Sequence, residues 1–137
     1  MQQSKPGALK MELNSSFKMT DYSKRIKRLL RELAAEAYEK ELSRELVKLE
    51  KSFEEWQDGK INSGELSHRV HQYETGVSRE LFKKYNEDKF DFNVAYAIVT
   101  GILDRKDVPE ELLEAIDKHL RFYESMNADG DLKLPGE

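Results

Sequence analysis

Apolar residues recur along this chain at the three- and four-residue spacing of an α-helix, and nowhere alternate as they do in a half-buried strand. The longest stripe of such positions contains Ile26, Leu30, Ala34, Tyr38, Leu42, Leu46, Leu49, Phe53 and Trp56. It predicts a first helix over about 21–57, which would be about 55 Å long at 1.5 Å per residue. A helix of that length is longer than the diameter of a compact domain of this size, so we expect part of it to need a partner.

Turn and capping residues divide the remaining pattern into three more helices. Gly59 supplies a helix stop, and Asn62 with Glu65 forms a capping box for the next helix. The short connection between them makes the first two helices an antiparallel hairpin. The predicted helices cover about 21–57, 63–85, 92–103 and 108–126. The fold class is therefore predicted to be all-α: a long antiparallel helical hairpin plus two shorter helices, bundle-like, with no sheet.

Composition limits the domain organisation to one helical domain over 20–126. Polar segments rich in turn formers predict a flexible arm over 1–19 and a flexible tail over 127–137.

The third helix is apolar nearly all round and belongs at the centre. Gly76, inside the second helix, costs about 1 kcal/mol relative to alanine. We expect a close crossing of the second and third helices to explain this glycine.

The residue types exclude several classes of function. Of 137 residues 36% are charged and 38% hydrophobic, so the core is thin and the surface strongly charged. There is no cysteine, which excludes disulfide scaffolds, thiolate metal sites and cysteine nucleophiles. Neither a membrane-spanning run, a signal peptide nor a glycine-rich phosphate loop is present. We expect a cytoplasmic protein with no membrane span, no cofactor and no evident small-molecule ligand.

Basic residues are concentrated at the start of the first helix. Residues 1–31 hold eight basic and two acidic side chains, whereas the whole chain carries a net charge of −4. The candidate nucleic-acid-binding residues are Lys24, Arg25, Lys27, Arg28 and Arg31. No aromatic residue is interleaved among them to stack on bases. A solvated face or an acidic protein partner is therefore the favoured interpretation, and nucleic acid the alternative.

A polar cluster on the second helix offers the remaining candidate chemistry. Glu65, His68 and His71 are weak metal candidates, because they spread over a wide arc of the outer side. Glu74 lies nearer the apolar stripe, with His71 one turn before it and Ser78 one turn after, so we expect a half-buried carboxylate. A structural polar contact is favoured there over an acid–base pair. His119, on the last helix, is expected at the boundary of the core.

These patterns favour an interaction module over an enzyme. The main hypothesis is a protein–protein interaction or regulatory protein acting through its long hairpin, with a homodimer that would bury Leu29, Leu33, Phe53 or Trp56. The alternative is nucleic-acid binding through 24–31. A third is an enzyme or metal protein that uses the cluster of Glu65, His68, His71 and Glu74.

Overall fold

The computed structural model of the protein describes residues 21–137, and the regular structure within that range is helical, with no strand. The helices are α1 (Lys24–Gln57), α2 (Ser63–Thr75), α3 (Val77–Tyr85), α4 (Phe90–Val99), α5 (Glu110–Ala115) and α6 (Asp117–Ala128), with a 3-10 turn at Arg105–Asp107. The all-α prediction is confirmed. The arm predicted over 1–19 lies outside the described residues.

The hairpin of α1 and α2 is limited by side-chain caps and a glycine. The Ser23 hydroxyl accepts a hydrogen bond from the Ile26 N–H (3.2 Å) and begins α1 three residues later than expected. Gly59 takes a left-handed conformation (φ 76°) directly after α1. The Asn62 side chain then accepts a hydrogen bond from the Glu65 N–H (2.8 Å), as the capping-box pattern predicts.

The core lies between the first half of α1 and the helices from α3 to α6. Helix α4 is at its centre, with Val94, Ala95 and Ala97 completely buried. The last apolar residue of α1 that is buried in this core is Ala37. The buried apolar residues of this core are Ile26, Leu30, Ala34, Ala37, Leu81, Tyr85, Val94, Ala95, Ala97, Ile98, Ile102, Leu103, Val108, Leu112, Ile116 and Leu120.

The predicted second helix is broken at Gly76, where the backbone takes φ −104° and ψ −99°. A Cβ atom at this position would lie 2.7 Å from the carbonyl oxygen of Gln72, one turn earlier, and within 4 Å of no other residue. The expected close crossing with the third helix is therefore wrong. Glycine is needed at this break because the backbone of the preceding turn lies too close to position 76 to leave room for a side chain.

Other boundaries also differ from the expected ones. Helix α4 ends at Val99 rather than 103, because Gly101 takes a left-handed conformation (φ 85°). The last helix is divided at Ile116 and continues to Ala128. The chain then turns back, and the Tyr96 hydroxyl donates a hydrogen bond to the Lys133 carbonyl oxygen (2.6 Å). No helix within residues 21–137 has the length and apolar character needed to span a bilayer.

Candidate functional site

An apolar ridge is exposed along the second half of α1. We use that name for Leu42, Leu46, Leu49, Phe53 and Trp56. They recur at alternating four- and three-residue spacing, so they share one side of the helix. Leu46, Phe53 and Trp56 are 45%, 41% and 40% exposed, and the other two are half-buried. This end of the long apolar stripe thus remains largely open to solvent.

The side of α1 that faces α2 and α3 is polar instead. It carries Glu41, Glu45 and Ser52, each of which directly precedes a member of the ridge. One residue turns an α-helix by about 100°, so the ridge lies roughly a quarter turn away from this polar side. The consequence is that α2 and α3 cover charged and hydroxyl groups. Leu42 and Leu49 at the edge of the ridge are half-buried, and Leu46, Phe53 and Trp56 stay exposed.

Arg69 of α2 holds the two helices together in this orientation. Its guanidinium donates to the Ser52 hydroxyl (3.2 Å), to the Glu55 carboxylate (2.9 Å) and to the Glu65 carboxylate (2.9 Å). Hydrogen bonds between charged groups are stronger and more directional than neutral ones. We infer that this contact fixes the rotation of α1 against α2.

The end of the ridge is fixed by a hydrogen bond across the hairpin turn. The indole Nε1 of Trp56 donates to the Ser63 hydroxyl (3.0 Å), which places the ring beside the start of α2. Tryptophan and other aromatic residues carry a large share of binding energy at protein interfaces.

Leu29 and Leu33, which were expected to share an interface with Phe53 and Trp56, instead pack half-buried against the core.

The basic residues at the start of α1 are only partly available for a ligand. Arg25 pairs with Glu111 of α5 (2.6 Å) and Arg28 with Glu32 in the next turn (3.8 Å). Lys24 and Arg31 are exposed, and Lys27 is half-buried. Acidic side chains therefore pair with two of the five candidate cations, and the Arg28 side chain stays 60% exposed.

The polar cluster expected on the second helix is not assembled. Glu65, His68, His71 and Glu74 are all exposed on α2, whereas Ser78 lies beyond the Gly76 break on α3. Within residues 21–137, no three histidine, aspartate or glutamate side chains come together as ligands for a metal ion.

The expected half-burial of Glu74 is wrong. The inward side of α2 is formed by Leu66, Arg69 and Tyr73, and Glu74 follows Tyr73 by about 100° of rotation. The expectation assumed that one continuous helix would direct Val77 and Glu74 toward the same core.

A buried carboxylate that the sequence pattern does not indicate lies between α1 and α3. Glu41 is only 6% exposed and accepts hydrogen bonds from the Tyr85 hydroxyl (2.5 Å) and the Lys84 ammonium (3.1 Å). The Lys84 nitrogen also lies 4.0 Å from the centroid of the Tyr96 ring. Burial and the bond to Glu41 raise the pKa of Tyr85 far above its usual value.

A second buried polar contact joins three distant parts of the chain. His119 is completely buried, not at the core boundary as expected, and its Nε2 lies 3.4 Å from the Asp91 carboxylate. The Tyr22 hydroxyl donates to the same carboxylate oxygen (3.0 Å). Burial lowers the pKa of His119, and the Asp91 charge partly opposes that shift. This contact ties α4 and α6 to the residues that precede α1.

Three comparisons with known proteins add no further assignment. No family model matches the chain, and neither the curated proteins nor the solved structures contain a match.

Proposed function

We propose that this protein is a protein–protein interaction module and that its hairpin associates with a second copy of the chain through the apolar ridge. The observation that carries the proposal is the exposure of Leu46, Phe53 and Trp56 on one side of α1. Clustered exposed apolar side chains on a soluble fold mark interaction surfaces.

The spacing of the ridge supports a helical partner. Alternating four- and three-residue steps are the pattern of a coiled-coil seam, in which each apolar side chain packs between residues of the facing helix. The ridge extends about 21 Å along α1, from Leu42 to Trp56. That length suits a short helix–helix contact.

The order of side chains along the ridge supports a second copy as that partner. Aliphatic Leu42 and Leu46 lie at one end and aromatic Phe53 and Trp56 at the other, with Leu49 in the middle. An antiparallel two-fold pairing centred on Leu49 places the bulky residues of each copy opposite the smaller ones of the other. Such a contact is self-complementary, as two-fold interfaces require.

The small size of the ridge sets the strength of this association. Fully burying an aliphatic or aromatic side chain contributes about 1.5–3 kcal/mol, and more than half of each exposed ridge side chain is already covered. The loss of translational and rotational freedom offsets much of the gain. We therefore expect reversible dimerisation, with a dissociation constant of roughly tens to hundreds of micromolar.

Sedimentation equilibrium tests the proposal with one disruptive and one matched variant. Phe53→Glu places a charge in the ridge, whereas Phe82→Glu changes an exposed phenylalanine (57%) on α3. The native chain and Phe82→Glu are expected to approach the dimer mass with rising concentration, and Phe53→Glu to remain a monomer. A native chain that stays monomeric at several hundred micromolar, or a Phe53→Glu variant that dimerises normally, would contradict the proposal.

A second candidate function is nucleic-acid binding by the first turns of α1, supported by the exposure of Lys24, Arg28 and Arg31. Phosphate contacts of this kind give an affinity that falls steeply with salt. Reversal of these three residues to glutamate should abolish such binding and leave dimerisation unchanged. Binding that is insensitive to these substitutions would exclude this surface.

A further inference from the structure

The last described residues lie across a groove between α1, α3 and α4. Residues 132–137, which we call the strap, pass over a cavity of about 350 Å³. The floor and walls of the groove include Glu41 and Glu45 of α1, Val77, Leu81 and Lys84 of α3, and Tyr96 of α4. The groove is thus formed by three helices, and the strap forms its cover.

A main-chain carbonyl of the strap is hydrogen-bonded to the helices beneath it, and the leucine of its turn is partly exposed. The Tyr96 hydroxyl donates to the Lys133 carbonyl oxygen (2.6 Å), while Leu134 is 41% exposed. Two other hydrogen bonds are internal: the Leu134 N–H donates to the Glu137 carboxylate (3.1 Å) and the Glu137 N–H to the Leu134 carbonyl (3.2 Å). A turn that holds its own shape and rests on a groove can leave it with little loss of structure.

The groove beneath the strap is rigid, in contrast. Glu41 is held by both Tyr85 and Lys84, and the Lys84 ammonium packs against the Tyr96 ring. These contacts fix the Tyr96 hydroxyl in position to donate to a main-chain carbonyl. Val77 and Leu81 supply apolar surface beside it. A fixed donor for a carbonyl next to an apolar wall is chemistry that recognises an extended peptide.

We propose that this groove is a peptide-binding site and that the strap is the intramolecular segment that lines and covers it. The partner it fits is a short segment of another protein with the chemistry of the strap: an apolar residue, a proline–glycine turn and an acidic end. The strap competes with such a segment, because a tethered ligand acts at an effective concentration of about millimolar. This site is separate from the apolar ridge and does not depend on the function proposed for the ridge.

The test uses the full chain and a labelled peptide of sequence LKLPGE, which is the sequence of the strap. In one variant, residues 132–137 are replaced by glycine and serine at equal length, so that the groove is open. We expect saturable binding, measured by fluorescence anisotropy, at least tenfold tighter to this variant than to the native chain. Tyr96→Phe in the open variant should weaken binding severalfold, and a scrambled peptide is the matched control.

Several results would overturn the proposal. An open variant with native helical circular dichroism that binds the peptide no better than the native chain would show that the strap does not occupy a peptide site. Equal binding of the scrambled peptide would show that the groove lacks selectivity. If the open variant does not fold, the same titration on Leu134→Asp, which replaces the apolar side chain that the strap presents to the groove, gives the same comparison. The Phe53→Glu variant should bind the peptide like the native chain.

Discussion

Removal of the Lys84 ammonium should destabilise the fold strongly for a single substitution on a partly exposed helix. Lys84→Met keeps the length of the side chain and its contact with Tyr96, but leaves the Glu41 carboxylate with the Tyr85 hydroxyl as its remaining donor. The carboxylate is 6% exposed, so little of its surface is open to water that could replace the lost ammonium.

The expected loss follows from the burial of the two partners. Removing one partner of a buried ion pair costs about 3–5 kcal/mol. The Lys84 side chain is 31% exposed, so its charge is partly screened and desolvated less than that of Glu41. We expect Lys84→Met to lower the free energy of unfolding by about 2 kcal/mol after that discount.

The same reasoning predicts recovery when the whole polar group is replaced. The triple variant Glu41→Leu, Lys84→Met and Tyr85→Phe removes the carboxylate together with both of its donors. Apolar replacement of a buried ion pair is commonly neutral or stabilising. We therefore expect the triple variant to unfold within about 1 kcal/mol of the native chain.

Urea unfolding followed by far-ultraviolet circular dichroism measures these differences. Lys48→Met is the matched control, because Lys48 pairs with Glu45 on the same helix but is 60% exposed. It should change stability by less than about 0.5 kcal/mol. A Lys84→Met variant as stable as this control, or a triple variant as unstable as Lys84→Met, would refute the importance assigned to Glu41.

Three further predictions concern the buried ionisable groups and the helix break. Burial lowers the pKa of His119, so the unfolded chain binds a proton at this histidine more readily than the folded chain does. The stability that the neutral histidine contributes is therefore present above a pH of about 6.5 and is lost as the pH falls below it. A His119→Gln variant whose free energy of unfolding in urea falls with acid pH as steeply as that of the native chain would contradict this. Burial raises the pKa of Tyr96 and of Tyr123 to about 12, so stability should be retained up to about pH 10 and lost above it as the unfolded tyrosines ionise first; ultraviolet titration should show their ionisation delayed in the native chain and at its ordinary pH in urea. Gly76→Ala should cost more than about 1 kcal/mol, because the new Cβ would meet the Gln72 carbonyl. Gly64→Ala should not destabilise, because its new Cβ would lie at an ordinary contact distance (3.5 Å) from the Asn62 side-chain oxygen. Equal thermal midpoints for the two variants would exclude the proposed clash.

The sequence was sufficient to predict the long first helix and the hairpin turn, but not the side of α1 that the second helix covers. Periodic apolar residues predict the long helix, and the cap of the next helix at Asn62 predicts the return of the chain. Periodicity marks the apolar side of α1 but does not tell which side the second helix covers. Arg69 decides this in the folded protein, since its three hydrogen-bond acceptors on α1 and α2 make the polar side the one that is covered.

The buried polar groups were missed for a related reason. Glu41 and Lys84 are 43 positions apart in the chain, and Tyr85 is adjacent to Lys84. A single charged residue in a helical pattern is typical of the solvent side, and only the tertiary packing brings its partner within reach. The burial of His119 was missed for the same reason, because its partner Asp91 lies on another helix. The half-buried Glu74 is a wrong prediction because it treats Gly76 as a residue inside a continuous helix, whereas the helix breaks there.

The fluorescence of Trp56 tests the proposed association most directly, because it is the only tryptophan and lies in the apolar ridge. Emission is recorded over protein concentrations from about one to several hundred micromolar, the range in which the size of the ridge predicts dimerisation. We predict a saturable shift to shorter wavelength as the indole ring leaves water, and no shift for Phe53→Glu. An emission maximum that stays constant across this range in the native chain would contradict self-association through the ridge.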